Sequence, residues 1–308
     1  MDPLIPEVRC VVVTLGPDPR VVSAIDALRT QVGVRLHVVW IENAAEGSSP
    51  IVAPPSGAVE SIRVVRHGEN LGLAGALEPE LRGMSGGWFL TLNPDCRLDP
   101  HAISAAISAL DARRDAGAAA FHLRRPDGTV DSRGVVVHPL WLRARDRDVG
   151  KNAGTPCAID TVDAPCFAAA LLRVEDAKGA ADGAGEVFDT RYMAYYEDVD
   201  FGLRLRRSGR RVLFVPDASG VHDRGFRPGG RADIPPQVRR WSLRNRWWTM
   251  LKNVGVAGVL LRLPFLVLQE TAVFGYLLVK EKGTIAAYLD VIAGLGPTIA
   301  RRRHRPQA

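Results

Sequence analysis

Val8-Arg9-Cys10-Val11-Val12-Val13-Thr14-Leu15 is a β-branched run closed by Gly16-Pro17, and it reads as a buried first strand. Asp18 stands where it can cap a helix carrying Val21, Val22, Ile25 and Leu28, and Leu36 to Glu42 reads as a second strand. A polar loop follows, then a third strand from Ser61 to Arg66. Asn70-Leu71-Gly72-Leu73-Ala74-Gly75 opens a helix to Arg82. Trp88 to Asn93 is a fourth strand stopped by Pro94, and another helix spans Pro100 to Arg113. This alternation implies an α/β fold, a mostly parallel central sheet with helices on both faces. Ligands of such sheets sit beyond the carboxyl ends of the strands.

After Gly117 the alternation decays. Gly117 to Leu123 reads as a fifth strand, and Arg125-Pro126-Asp127-Gly128 as a turn with Val130 and Val135-Val136-Val137 in a hairpin around it. Leu140 to Thr161 reads as a long loop and Ala177 to Gly185 as an exposed insertion. Between them Ala164 to Arg173 returns to the core. Arg211 to Val215 is a short strand ended by Pro216-Asp217, and Val221-His222-Asp223 closes the unit.

The strand ends select residues. Thr14, Glu42-Asn43 and Asn93-Pro94-Asp95 each place polar groups directly after an apolar run; singly they are turn formers, together on one rim they favour a site. Tyr195-Tyr196-Glu197-Asp198-Val199-Asp200-Phe201-Gly202-Leu203-Arg204 puts three carboxylates within four residues at a helix start. They can cap the helix and complement its dipole, with Asp200 pairing to Arg204. Alternatively, one of them faces a cleft as a general base. Asp95 and His222 offer an oxygen and a nitrogen that can share one divalent ion, Mn²⁺ or a more hydrated Mg²⁺, against the charge of a departing diphosphate.

These segments, in this order, resemble the motifs of family 2 glycosyltransferases, and among them the bacterial rhamnosyltransferase-like branch. The likeness runs from Val8 to His222 and takes in Arg244-Asn245-Arg246. It implies a GT-A fold and an inverting, metal-dependent enzyme. Such an enzyme moves a sugar, rhamnose-like or another hexose, from a pyrimidine nucleotide diphosphate donor to a hydroxyl of a cell-envelope glycan or lipid-linked acceptor. By the resemblance Asp95 and His222 hold the metal, Asn93-Pro94-Asp95 stands for the family's D-x-D, and Asp198 is the base. Thr14 and Glu42 fall where the nucleoside is held, and Asn43, Asn70, Gly72, Asn93 and Glu197 join the substrate-binding set. The chain departs from the pattern at Leu15-Gly16, at Glu42 where Asp is usual, after Gly75, and at Cys166 where Gly is common.

Composition divides the chain at Pro235-Pro236. Of the 308 residues, those from Gln237 onward hold twelve Lys/Arg against three Asp/Glu, a local balance of +9 where the whole chain has +6. That balance sets residues 237–308 apart as a basic, partly amphipathic helical segment, and the resemblance implies that residues 1–236 are the nucleotide-sugar-binding catalytic domain. Val254 to Val279 is apolar but carries Arg262, Pro264, Gln269 and Glu270. The expectation is interfacial helices with Trp241, Trp247 and Trp248 as anchors and a closing Arg301-Arg302-Arg303-His304-Arg305, rather than a transmembrane helix. A helical subdomain or dimer interface is the plainer use of the same residues. No nucleic-acid-binding motif accompanies the charge.

Cys10, Cys96, Cys157 and Cys166 show no C-x-x-C spacing, so neither zinc nor disulfides are expected. The N-terminus does not read as a signal peptide. A cytoplasmic protein, peripheral on the inner membrane face, is the expectation. A catalytically inactive nucleotide-sugar-binding or scaffold protein of the same fold is the alternative. A nucleotidyltransferase would be expected to show a Gly-rich, basic loop after the first strand, which Leu15-Gly16-Pro17-Asp18 is not.

Overall fold

β1 (Glu7–Leu15) has apolar side chains out of solvent on both faces, as a β-branched run requires of a central strand. In the computed structural model, which describes residues 5–44, 49–155, 157–224 and 231–302, the chain runs on through α1 (Arg20–Arg29), β2 (Arg35–Asn43), β3 (Val59–Arg66), α2 (Gly72–Arg82) and β4 (Trp88–Leu92). The four strands are parallel in the order β4-β1-β2-β3. α1 buries Val21, Ala24, Ile25 and Leu28, the spacing of one helical face. Asp18 lies two residues before it and accepts the Arg20 backbone N–H at 3.0 Å.

The second half of the sheet is mixed. β5 (Cys96–Leu98) and α3 (Ala102–Ala112) lead to β6 (Ala116–Arg124), and β7 (Val130–Ser132) folds back on β6 across the Arg125–Gly128 turn. β8 (Val135–Val137) does not extend that hairpin, as the sequence suggested, but pairs with β9 (Ala144–Asp146). Gly134 causes the break: it sits at φ +82°, and a Cβ there would lie 2.8 Å from the Val162 side chain. The expected loop from Leu140 to Thr161 thus contains β9 and the start of β10 (Asp160–Val162). Three-residue strands show too little alternation to be read from composition.

β11 (Ala169–Arg173) inserts antiparallel between β4 and β6 and joins the two halves. After α4 (Val174–Gly179) and α5 (Glu197–Arg207), β12 (Arg211–His222) lies parallel to β6 and antiparallel to β5 and β10. The strand does not stop at Pro216. A register shift between Val215 and Ser219 absorbs the missing N–H, and pairing resumes to His222 opposite Cys96. The sheet order is β10-β12-β6-β11-β4-β1-β2-β3. α1 and α3 pack on one face, α2, α4 and α5 on the other. All four cysteines are free.

α6 (Pro236–Asn253), α7 (Val256–Lys280), α8 (Ala286–Ala293) and α9 (Leu295–Ala300) complete the described chain. Residues 177–185 are an exposed insertion only in part, at Gly179, Gly183, Ala184 and Gly185. Ala177, Ala180 and Asp182 are buried, and the Gly183 N–H donates to the Arg301 carbonyl at 3.0 Å. Their small side chains admit the C-terminal end of the chain. The expected interruptions do not break α7 either. Arg262 donates to the Gly258 and Pro139 carbonyls, while Glu270 is bound by Arg246, Trp247 and Tyr288. Ala257–Lys280 is by length and composition able to cross a membrane, and 11% of its most apolar window is buried. Arg303, His304 and Arg305 of the basic run lie outside the described residues.

Lys252 ties α6 to α5 and to the segment that precedes it. It is 1% exposed, with its Nζ 2.8 Å from Asp189, 2.8 Å from Asp200 and 3.7 Å from Asp182. Lys252→Met, similar in volume but uncharged, should lower unfolding free energy by about 3 to 5 kcal/mol, because it leaves buried carboxylates undercompensated. Urea unfolding measures this, and a loss within ~0.5 kcal/mol would place the cluster outside the stabilising core.

Candidate active site

A cleft of about 660 Å³ opens where the end of β4, the start of α5 and the end of β12 converge. Asn93, Asp95, Glu197, Asp198 and His222 line it, together with Arg20, Asp146 and Arg224. The other expected residues lie off this cleft, at the ends of β1 and β2 and the start of α2. Thr14 is buried and its hydroxyl accepts the Trp40 indole N–H at 3.1 Å. Glu42 is fully buried, with Oε2 accepting from Ser49 at 2.7 Å and Arg66 at 2.8 Å, while Oε1 has no hydrogen-bond partner among the described residues. Asn43 donates to the Gly72 carbonyl at 3.1 Å, and Asn70 Oδ1 accepts the Gly72 N–H at 2.9 Å. Gly72 itself has φ +70°, and a Cβ there would stand 2.7 Å from Met193 Cα. Only glycine fits that approach.

Asp95 follows β4 in a turn closed by the Cys96 N–H on the Asn93 carbonyl, and its own carbonyl accepts the Asp223 N–H at 2.9 Å. Asp95 Oδ2 accepts from Arg20 at 3.1 Å. Asp95 Oδ1 is buried, lies 3.2 Å from His222 Nε2, and forms no well-aligned hydrogen bond. The other face of the imidazole is fixed by Asp131, a fully buried carboxylate on β7 whose Oδ2 is 2.7 Å from Nδ1. Burial opposes a charge on His222, yet the bonds and charges of Asp131 and Asp95 outweigh it and raise its pKa. Asp131 is held below the usual carboxylate range: burial works against this, but His222 and Arg224 prevail. Sequence reasoning missed Asp131, Asp146 and Arg224. A carboxylate directly after Val130, in the stretch expected to form a hairpin, was the one available signal.

With Nδ1 committed to Asp131, Nε2 and Asp95 Oδ1 face each other at 3.2 Å, a carboxylate–imidazole arrangement that suits a divalent cation. Among the described residues no three His, Cys, Asp or Glu side chains converge as a metal site. A cation held by this pair alone would have to complete its shell with substrate oxygens and water.

Tyr195 and Tyr196 take φ +67° and +72°, two successive left-handed non-glycine residues, immediately before α5. No side chain caps this helix; Glu197 and Asp198 fill its first turn, and Asp198 Oδ1 accepts the Val199 N–H at 2.7 Å. Asp200 pairs with Arg204 at 2.9 Å, as the sequence spacing suggested. Burial, reinforced by the charge of Asp198, pushes Glu197 up to about 8; burial, reinforced by Asp146, pushes Asp198 up to about 7. Desolvation thus defeats the stabilisation that the helix N-terminus offers a carboxylate.

A raised folded-state pKa means that the native protein keeps the proton after the unfolded chain has released it. Stability should fall as pH rises from the ordinary carboxylate range towards 8. Glu197→Gln removes that liability. It should match the wild type near pH 5 and exceed it by about 1 to 3 kcal/mol near pH 9 in urea unfolding. Equal pH profiles for the two proteins would contradict the burial argument.

Residues 11–162 match the model of glycosyl transferase family 2. The N-acetylglucosaminyl-diphospho-decaprenol L-rhamnosyltransferase of Mycobacterium tuberculosis (strain H37Rv) is 27% identical over 255 residues, 71% of this chain and 76% of that protein. Among solved structures, GalNAc-T7 with UDP, GalNAc and Mn²⁺ superposes with a TM-score of 0.56 at 12% identity, covering 82% of this chain and 48% of that one. TarS of S. aureus gives 0.56 at 11% identity, covering 95% and 49%. The chain thus spans about half the length of those two structures, and at such identities they speak to the fold. The chain thus carries a glycosyl transferase family 2 domain over residues 11–162, has the GT-A architecture, and is similar to a bacterial rhamnosyltransferase.

Proposed function

We propose that the protein is an inverting, metal-dependent glycosyltransferase. It would move a rhamnose-like or other hexosyl group from a pyrimidine nucleotide diphosphate donor to a hydroxyl of a cell-envelope glycan or lipid-linked acceptor. The observation that carries this reading is that Asp198 and the Asp95–His222 pair look into one cleft. Single displacement needs a base on the acceptor side and positive charge on the leaving side. Asp198, pushed up to about 7, is basic enough to take the acceptor hydroxyl proton and is substantially ionised at neutral pH. The hydroxyl oxygen bonds to the anomeric carbon as the bond to the diphosphate breaks, and the electron pair leaves with the diphosphate. Glu197, protonated at the same pH, can donate a hydrogen bond to orient the acceptor.

Asp95 and His222 would hold Mn²⁺ or Mg²⁺, which when bound neutralises charge on the leaving diphosphate. Arg20 and Arg224, both on the cleft wall, add fixed positive charge. The buried oxygens of Glu42 and Asn43, unpartnered among the described residues, support a nucleoside site at the ends of β1 and β2, with Thr14, Asn70, Gly72 and Asn93 shaping it. In this reading residues 1–236 bind and transfer, and 237–308 place the enzyme at the cytoplasmic face of the membrane. The exposed Leu260, Leu261, Val267 and Leu268 of α7 support contact with lipid, as does the basic excess of that segment. A lipid-linked acceptor, as in the name of the mycobacterial relative, would be presented there.

Asp198→Asn should lower kcat by about 10³-fold or more while donor affinity changes little. Wild-type kcat should rise with pH through about 7, because only the ionised carboxylate accepts a proton, and the variant should lack that limb. The assay pairs dTDP- and UDP-linked hexoses, dTDP-L-rhamnose among them, with a synthetic N-acetylglucosaminyl-diphospho-lipid. Full activity in Asp198→Asn would remove it as the base. Metal chelation should abolish transfer, and Mn²⁺ or Mg²⁺ should restore it; transfer that persists in chelator would remove the metal from the reading.

A further inference from the structure

The left-handed pair Tyr195–Tyr196 needs a restraint, because each such residue costs about 1 to 3 kcal/mol and would relax if released. No side chain caps α5. The restraint comes from α6. Asn245 is fully buried, and its Nδ2 donates to the Ala194 carbonyl at 2.9 Å and to the Tyr195 carbonyl at 2.9 Å. Its Oδ1 accepts from Arg244 Nε at 3.0 Å. Arg244 in turn lies 4.2 Å over the Trp248 ring and donates to the Arg191 carbonyl at 3.1 Å. Further along α6, Thr249 meets the Tyr192 hydroxyl at 2.9 Å, and Asn253 donates to Asp200 at 2.7 Å. One helix thus grips the segment before the turn, the turn itself, and the helix after it.

We propose that Asn245 is a positioning residue for the reaction: it holds the left-handed turn that aims Glu197 and Asp198 into the cleft. Both of its amide hydrogens are committed to backbone carbonyls, so it has no donor left for a substrate. Its action on transfer is through Asp198, and that part rests on the reading of Asp198 as the base. The C-terminal helices are accordingly part of the catalytic unit.

The full-length Asn245→Ala and Asn245→Asp proteins test this. Asparagine and aspartate have nearly the same shape, but the carboxylate turns two hydrogen bonds into repulsion against carbonyl oxygens. Amide hydrogen exchange, read without donor or acceptor, should rise about tenfold or more in a peptide covering residues 192–201 while peptides from β1 and β4 keep their protection. Unchanged exchange at 192–201, or an equal rise throughout, would overturn the proposal. In the transfer assay kcat should fall about 30-fold, with the donor KM within about threefold. A loss confined to KM would also overturn it.

Tyr195→Gly supplies the second arm, since glycine adopts φ +67° without strain. In that background the loss of kcat from Asn245→Ala should be at least about fivefold smaller than in the wild type. Equal losses in the two backgrounds would overturn the role in holding the turn. Because exchange is measured without substrate, its outcome stands whether or not Asp198 proves to be the base.

Discussion

Asp200 is the point on which the two halves of the molecule depend. It is 1% exposed and receives Arg204 from its own helix, together with Lys252 and Asn253 from α6. A buried carboxylate is tolerated only when its partners are complete, because removal from water costs more than one imperfect pair returns. Here the partners come from both sides of the interface between α5 and the C-terminal helices. Burial acts to raise the pKa of Asp200, and the charges of Arg204 and Lys252 reverse it to a lowered one. The cluster therefore makes the docking of α6 a condition for α5 to sit as it does.

Two residues earlier on the same helix, the balance runs the other way. Asp198 is also withdrawn from water, but the neighbouring charge it feels most is that of Asp146, a second carboxylate, so its pKa is raised. Glu197 is buried beside Asp198 with Oε2 unpartnered. One turn of helix thus carries carboxylates of opposite character, one locked as an anion for structure and two poised to hold or release a proton. Environments that push neighbouring groups apart in this way mark acid–base sites. The left-handed turn before α5 adds strain at the same place, which accords with a functional rather than a purely architectural role.

The parallel half of the fold was legible because its strands are long and apolar, and their ends announce themselves with Pro and Gly. β1, β2, β3 and β4 fall within one or two residues of their expected bounds. The mixed half was not. β12 runs through Pro216 because a bulge removes the need for that N–H, and nothing local to the sequence signals the bulge. Of the candidate site, Asn93, Asp95, Glu197, Asp198 and His222 were legible and lie together, while Thr14 proved to be occupied with Trp40. Asp131 escaped because its meaning is tertiary: it matters only once β7 folds against β6 and meets His222. Arg244-Asn245-Arg246 stood within the resemblance, but the contacts of Asn245 were illegible for the same reason, since its partners are carbonyl groups some fifty positions away.

The charge asymmetry of the chain gains a second meaning from these contacts. A basic C-terminal quarter beside an acidic remainder reads, from sequence, as a surface for anionic partners. Much of that charge is turned inward instead. Lys252 is spent on Asp189 and Asp200, Arg301 on Asp182 and Glu186, Arg246 on Glu270, and Arg240 on Asp290. The aspartates that made residues 1–236 slightly acidic are in part the sockets for cations of residues 237–308. Complementary charge between two segments of one chain directs their association as it would two proteins, and here the association braces the helix bearing Glu197 and Asp198. The case for a lipid surface therefore leans less on net charge than on the apolar side chains of α7, which stay exposed among the described residues.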